Sequence, residues 1–106
     1  MITLKDAQKR SRIIKALAHP VRIMMVEFLT SGEKSFSDIF NLFNLDKSTV
    51  SKHLLVLKEV DLISSKKDGW DMRYKLEIPC VTDFFSCVTE VITHRNKKRQ
   101  TCTCKK

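Results

Sequence analysis

Asp46-Lys47-Ser48-Thr49-Val50-Ser51-Lys52-His53-Leu54-Leu55-Val56-Leu57 is the stretch that decides the fold. Val50, Leu54 and Leu57 fall on one side of a helix, and Lys47, Ser48, Ser51 and Lys52 form a polar leading face opposite. Asp46 suits the N-cap and is expected to accept from the backbone N–H of Ser48 or Thr49. Just upstream, Phe36, Ile39, Phe40 and Phe43 recur at i, i+3, i+4 and i+7, which predicts a shorter helix. Asn44-Leu45-Asp46 turns the chain between the two. A short helix, a turn and a second helix with a polar outer face make a helix-turn-helix.

Working outward, residues 4–18 read as a first helix with basic residues between Leu4, Ala7, Ile14 and Leu17. His19-Pro20 breaks it, and Pro20 suits the first position of the next helix, where its missing N–H costs nothing. That second helix carries a stripe of Val21, Met24, Met25, Phe28 and Leu29, read as core, and Ser31-Gly32 ends it. After Asp61 the period changes to two. Residues 62–67 and 72–76 are strand-like, and Asp68-Gly69 is a hairpin signal. The last helix spans roughly 81–96, with a wide apolar face of Val81, Phe84, Phe85, Val88, Val91 and Ile92. A core this small has no room for both terminal helices' apolar faces, so the first and last helices are expected to pair with a second copy across a two-fold axis.

The fold class is therefore mainly α with a small β-hairpin. The chain of 106 residues divides into a domain over 1–96 and a basic tail over 97–106. Twenty Lys+Arg against 12 Asp+Glu give a net charge of +8, which favours an anionic partner such as nucleic acid. With 42% hydrophobic residues the chain has material for a core, so disorder is excluded as the main state. No apolar run approaches the roughly 18–20 residues of a membrane span. The first residues lack an apolar signal region, so a cytoplasmic protein with no membrane partner is expected. Nothing in the sequence supports an enzyme: there is no paired acid–base set, phosphate-cradling glycine loop or nucleophile with a partner.

In this order the motifs resemble the arsenic-repressor (ArsR/SmtB) family of winged helix-turn-helix transcription regulators. Ser48-Thr-Val-Ser51-Lys-His53-Leu-Leu-Val-Leu57 running to Leu62-Ile63 is similar to that family's S-x-V-S-x-H-L-x-x-L-x-x-x-x-L-[IV] recognition helix and wing entry. Ala16-Leu17-Ala18-His19-Pro20-Val21-Arg22-Ile23 is similar to its A-L-A-[DH]-P-x-R-[LI] segment. The resemblance covers roughly residues 4–96. It implies a homodimer bound to a double-stranded DNA operator, with Lys47, Ser48, Thr49, Ser51 and Lys52 toward the groove and Lys66, Lys67 and Arg73 on wing phosphates. His53, at the edge of the buried stripe, reads as a structural histidine. Trp70 and Asp71 stand near the hairpin tip, where the family usually has Arg or Lys.

The resemblance also implies release by a ligand. One family sensor, a Cys-x-Cys group before the recognition helix, falls here on Ser35 and Ser37, and hydroxyls are poor ligands for soft metals. Another, a zinc site on the last helix, keeps Asp83 but meets Phe85, Asn96 and Arg99 at its other places. Cys102 and Cys104 remain, one residue apart, with lysines and arginine nearby to favour the thiolate. Buried cysteine as a small apolar residue is the ordinary reading of Cys80 and Cys87. Cys87 is alternatively a third sulfur, about 13 Å up the helix from residue 96, within the roughly 20 Å that six tail residues span. No resident cofactor is expected. The effector that fits is As(III) or Sb(III) on Cys102, Cys104 and Cys87. The alternatives are a thiol-redox or persulfide-responsive repressor and a cysteine-tailed metal carrier.

Overall fold

The structure is a computed structural model and describes residues 1–97. Helix α1 (Leu4–Leu17) opens with a capping box: the Thr3 hydroxyl accepts from the Asp6 N–H, and the Asp6 carboxylate accepts from the Thr3 N–H. Helix α2 (Pro20–Leu29) starts on Pro20, and His19 caps it by accepting the Val21 N–H on Nδ1 at 3.1 Å. Strand β1 (Lys34–Ser35) leads into α3 (Phe36–Phe40), and α4 (Lys47–Glu59) follows a six-residue turn. Strands β2 (Ile63–Asp68) and β3 (Asp71–Leu76) form the hairpin, and α5 (Val81–Lys97) closes the order.

The sheet has three strands, antiparallel in the order β1-β3-β2, so the hairpin is extended by β1, pairing Lys34 with Tyr74 and Ser35 with Arg73. The sequence offers no period in two residues, which is why this edge strand was not expected. The hairpin loop is also shifted by one from the Asp-Gly reading. Asp68 pairs with Asp71, so Gly69-Trp70 is the loop, and Gly69 takes the positive φ of +64° at its first position.

The core forms where α2, α4 and the sheet root meet, with Met25, Val26, Ile39, Val50, Leu57 and Leu62 fully buried. Val50, Leu54 and Leu57 pack as their spacing predicts. The α2 stripe differs: Val26 is buried while Met24 is half exposed. With α4 and β3 both packed against α2, the core face is turned toward Val21, Met25, Val26 and Leu29. Helix α3 ends at Phe40, and Phe43 packs against the core from the following turn instead of from the helix.

The passage from α4 into β2 fixes the hairpin relative to the helix. Asp61 takes a left-handed φ of +62°, a conformation that Asp tolerates better than most residues, and the Leu62 N–H donates back to the Leu57 carbonyl. The terminal helices behave otherwise. Among the described residues, only Ala16 and Leu17 of α1 and Val81 and Phe85 of α5 enter the core. Leu4 and Ile14 of α1, and Phe84, Val88, Val91 and Ile92 of α5, stay exposed. Cys80 and Cys87 are exposed as well, so the reading of both as buried apolar residues is corrected: each lies on a side of the chain that the core does not reach.

Candidate nucleic-acid interface

Helix α4 presents Lys47, Ser48, Ser51 and Lys52 to solvent, one face of two turns set on the buried stripe of Val50, Leu54 and Leu57. Two ammonium groups and two hydroxyls are donors for phosphate oxygens and for the acceptor edges of guanine. Thr49 is placed differently. It is half-buried, and its hydroxyl donates to the Asp46 carboxylate. Asp46 is the N-cap residue, but its carboxylate takes that hydroxyl and no backbone N–H, a correction to the expected cap. The Thr49 hydroxyl, first among several causes, holds the Asp46 carboxyl below the ordinary carboxylate range.

One member of this face was missed. Leu55 is 53% exposed and continues the Ser48–Ser51 side of α4. Its place off the 50–54–57 stripe was the available signal. An apolar side chain beside two hydroxyls suits a thymine methyl in the major groove.

His53 sits at the edge of the stripe and faces the protein. Its Nδ1 accepts from Nε of Arg22 at 3.2 Å, and its ring lies 4.4 Å from that of His19. Arg22 also donates to the Ala16 carbonyl. Desolvation, then the neighbouring His19 and Arg22 charges, push the His53 pKa down. This cluster ties the start of α2 to the middle of α4 and so orients the polar face.

The hairpin places its cations on two sides. Register puts Lys67 and Met72 on the same face as Ser65 and Tyr74, the face whose root is the buried Ile63–Leu76 pair. Ser65, Met72 and Tyr74 line a cleft against Ser51, Leu54, Leu55 and Lys58 of α4. Lys66 and Arg73 pair on the other face, and Arg73 Nε lies 3.4 Å from the Glu33 carboxylate. Lys67 is thus on the side of the hairpin that turns toward α4, while Arg73 is engaged by an acid. Trp70, at the tip, is fully exposed.

Ser35, where the first family sensor would need a thiol, is nearly buried and forms a capping box with Asp38 at the start of α3. Cys87 lies on the exposed side of α5 with Phe84, Val88 and Val91. Cys102 and Cys104 lie outside the described residues. Among the described residues no three His, Cys, Asp or Glu side chains converge on a point.

A helix-turn-helix whose second helix turns a polar face outward, flanked by a wing, is the architecture of a winged-helix regulator. Residues 19–65 match the family described as "Bacterial regulatory protein, arsR family". The chain is 30% identical over 73 residues to the transcriptional repressor SdpR of Bacillus subtilis, covering 69% of this chain and 81% of that one. It is 27% identical over 95 residues to an arsenical resistance operon repressor of Staphylococcus xylosus, covering 90% and 88%. A homodimeric winged helix-turn-helix DNA-binding domain from Mycobacterium bovis superposes with a TM-score of 0.73 at 23% identity, over 95% of each chain. The chain belongs to the arsR family of bacterial regulatory proteins, and its fold is the winged helix-turn-helix.

Proposed function

We propose that the chain is a homodimeric transcriptional repressor that binds an operator duplex and is released when thiolates capture a thiophilic metalloid. The observation that carries the DNA half is the α4 face: Lys47, Ser48, Ser51 and Lys52 are exposed together, on a helix whose opposite side is locked in the core. Dimerisation is supported by the apolar surface left on α1 and α5, which two copies would cover around a two-fold axis. The pair would then present two α4 faces to successive major grooves, roughly 34–36 Å apart. Such a protein works in the cytoplasm, where the chromosome is. The named relatives are repressors, one of an arsenical resistance operon.

For the release step, As(III) or Sb(III) is the effector, held by Cys102 and Cys104 with Cys87 of the same or the other subunit as third sulfur. Thiolates are soft ligands suited to these ions. The exposure of Cys87 beside the dimer-forming stripe of α5 supports this, because a ligand bound there acts on subunit spacing. A thiol-redox or persulfide switch is the second reading, favoured by two exposed thiols, Cys80 and Cys87, on one helix and its approach.

The test is a titration of duplex from the chain's own upstream region. Tight, salt-steep binding is expected, and equal binding to random duplex would remove the repressor reading. Arsenite under reducing conditions should then release the duplex, with Cys102→Ser and Cys104→Ser blunting release but not binding. Release by oxidant or polysulfide and none by arsenite would select the redox switch.

A further inference from the structure

The chain's one tryptophan is fully exposed, at the point of the molecule where a large apolar ring has least to pack on. Gly69-Trp70 is a two-residue loop, and the cross-strand ladder runs unbroken from Ile63–Leu76 out to Asp68–Asp71, so the indole is carried on a paired hairpin. The hairpin stands directly beside α4, across a cleft lined by Ser51 and Leu55 on one side and Ser65 and Met72 on the other.

These placements fix where the ring goes if α4 enters the major groove. A helix fills a groove about 12 Å wide, so an element packed alongside it crosses the bounding phosphate strand, and the next groove is the minor one. Lys67, on the α4 side of the hairpin, would then be the cation nearest that phosphate strand. The tip lies about two residues further, roughly 7 Å at strand rise, close to the minor-groove depth of about 7.5 Å. Asp68 and Asp71 flank the loop on the opposite face from Lys67. Carboxylates there repel phosphate, so an electrostatic grip is not what the tip offers. An uncharged ring is.

The geometry points to Trp70 as a minor-groove contact that selects A·T at the base pairs flanking the α4 site. Indole Nε1 is a donor only. A·T pairs show only acceptors in the minor groove, whereas G·C adds the guanine N2 amino donor, which opposes the indole N–H and fills the groove floor. Apolar side chains wedged into this groove are an established way to hold a duplex. The inference rests on the duplex-binding reading and adds a specificity-determining residue outside the recognition helix.

The test uses the full chain and a duplex enriched by it from a random-sequence pool. Because Trp70 is the single tryptophan, its emission reports on the tip alone when tyrosine is not excited. Saturating duplex should quench that emission and shield it from acrylamide. Trp70→Ala should weaken binding about tenfold, the scale of one lost aromatic contact to a base. Its slope of log affinity against log salt should not change, since no charge is removed, while Lys67→Ala should make that slope shallower. Replacing A·T by G·C at the flank should cost the wild type about fivefold and Trp70→Ala nothing. Inosine in place of that guanine, which deletes only the minor-groove amino group, should restore wild-type affinity. Unchanged emission on duplex that anisotropy shows to be bound would overturn the assignment and leave the repressor reading standing. So would equal flank preference in Trp70→Ala, or an emission shift that follows self-association without duplex. No binding of any duplex would sink the repressor reading itself.

Discussion

Helices α4 and α5 have similar apolar content in sequence and opposite fates in the fold. Helix α4 sends Val50, Leu54 and Leu57 into the core and turns its hydroxyls and ammonium groups outward. Among its described residues, helix α5 commits only Val81 and Phe85 and leaves Phe84, Val88, Val91 and Ile92 in water. A polar face left open on a helix with its back in the core is a rigid presentation surface. An apolar face left open at the end of a small domain is unfinished burial, and it calls for a second copy. In the proposed dimer the two helices divide the work: one displays chemistry, the other sets how two displays are spaced.

Substitutions on the two helices should separate these roles. Leu57→Ala removes a fully buried side chain from the α4–core contact and should cost about 2–5 kcal/mol of unfolding free energy. Urea titration with the midpoint compared at unchanged slope measures it, and a loss within error would show that α4 is not anchored as described. Val88→Glu, on the exposed α5 face, should leave the fold of one chain within about 0.5 kcal/mol and abolish self-association. Sedimentation should then give a monomer with intact helical signal, and operator binding should fall together with the dimer. A dimer that persists would break the comparison, because α5 would not be its seam. Smaller again, Ser35→Ala deletes one half of the α3 capping box and should cost about 1 kcal/mol. A cost near zero would mean that α3 is held by the packing of Phe36, Ile39 and Phe40 without help from its cap.

What the sequence made legible was the part governed by period. The α4 stripe and the exposed apolar residues of α1 and α5 follow from residue spacing, and the hairpin strands fall within one residue of their expected places. The misses share a different physical origin. Met24 and Val26 exchange roles because α2 is covered by α4 and β3 together, and only tertiary contact decides where its buried arc is centred. Strand β1 exists only because Lys34 and Ser35 lie beside Tyr74 and Arg73, residues far away along the chain. The hairpin frame moved by one because Gly69 supplies a positive φ at the first loop position, a choice that an Asp-Gly pair leaves open. On α4, polar spacing places Lys47, Ser48, Ser51 and Lys52 on the face that the structure leaves exposed, and the exposed Leu55 beside them carries no polar signal. Arg73, read as a phosphate contact, has an acid partner in Glu33 that no local motif announces.

The junction between α2 and α4 sharpens the contrast further, because there a core-anchored helix carries a titratable group. The His53 pKa lies below its ordinary value of 6.5, owing first to desolvation and then to the His19 and Arg22 charges. A histidine with a depressed folded pKa is protonated more readily in the unfolded chain. Its contribution to stability is therefore complete above about pH 6.5 and is lost as the pH falls from there through the lowered folded value. Protonation also removes the Nδ1 lone pair that accepts from Arg22 Nε. The ring is only half-buried, so solvent screens the effect and the change should be the smallest of the set. Unfolding titrations between about pH 7.5 and about pH 5 should show stability declining in wild type. His53→Asn, whose amide oxygen stands in for Nδ1 but does not titrate, should decline less over the same interval. Asp46 does not confuse the reading, because its lowered carboxyl pKa puts its own loss below about pH 3.8. Equal slopes in wild type and His53→Asn would show that the α2–α4 junction is insensitive to this proton, and that the Arg22 bond to position 53 holds across the interval whatever the charge of the imidazole.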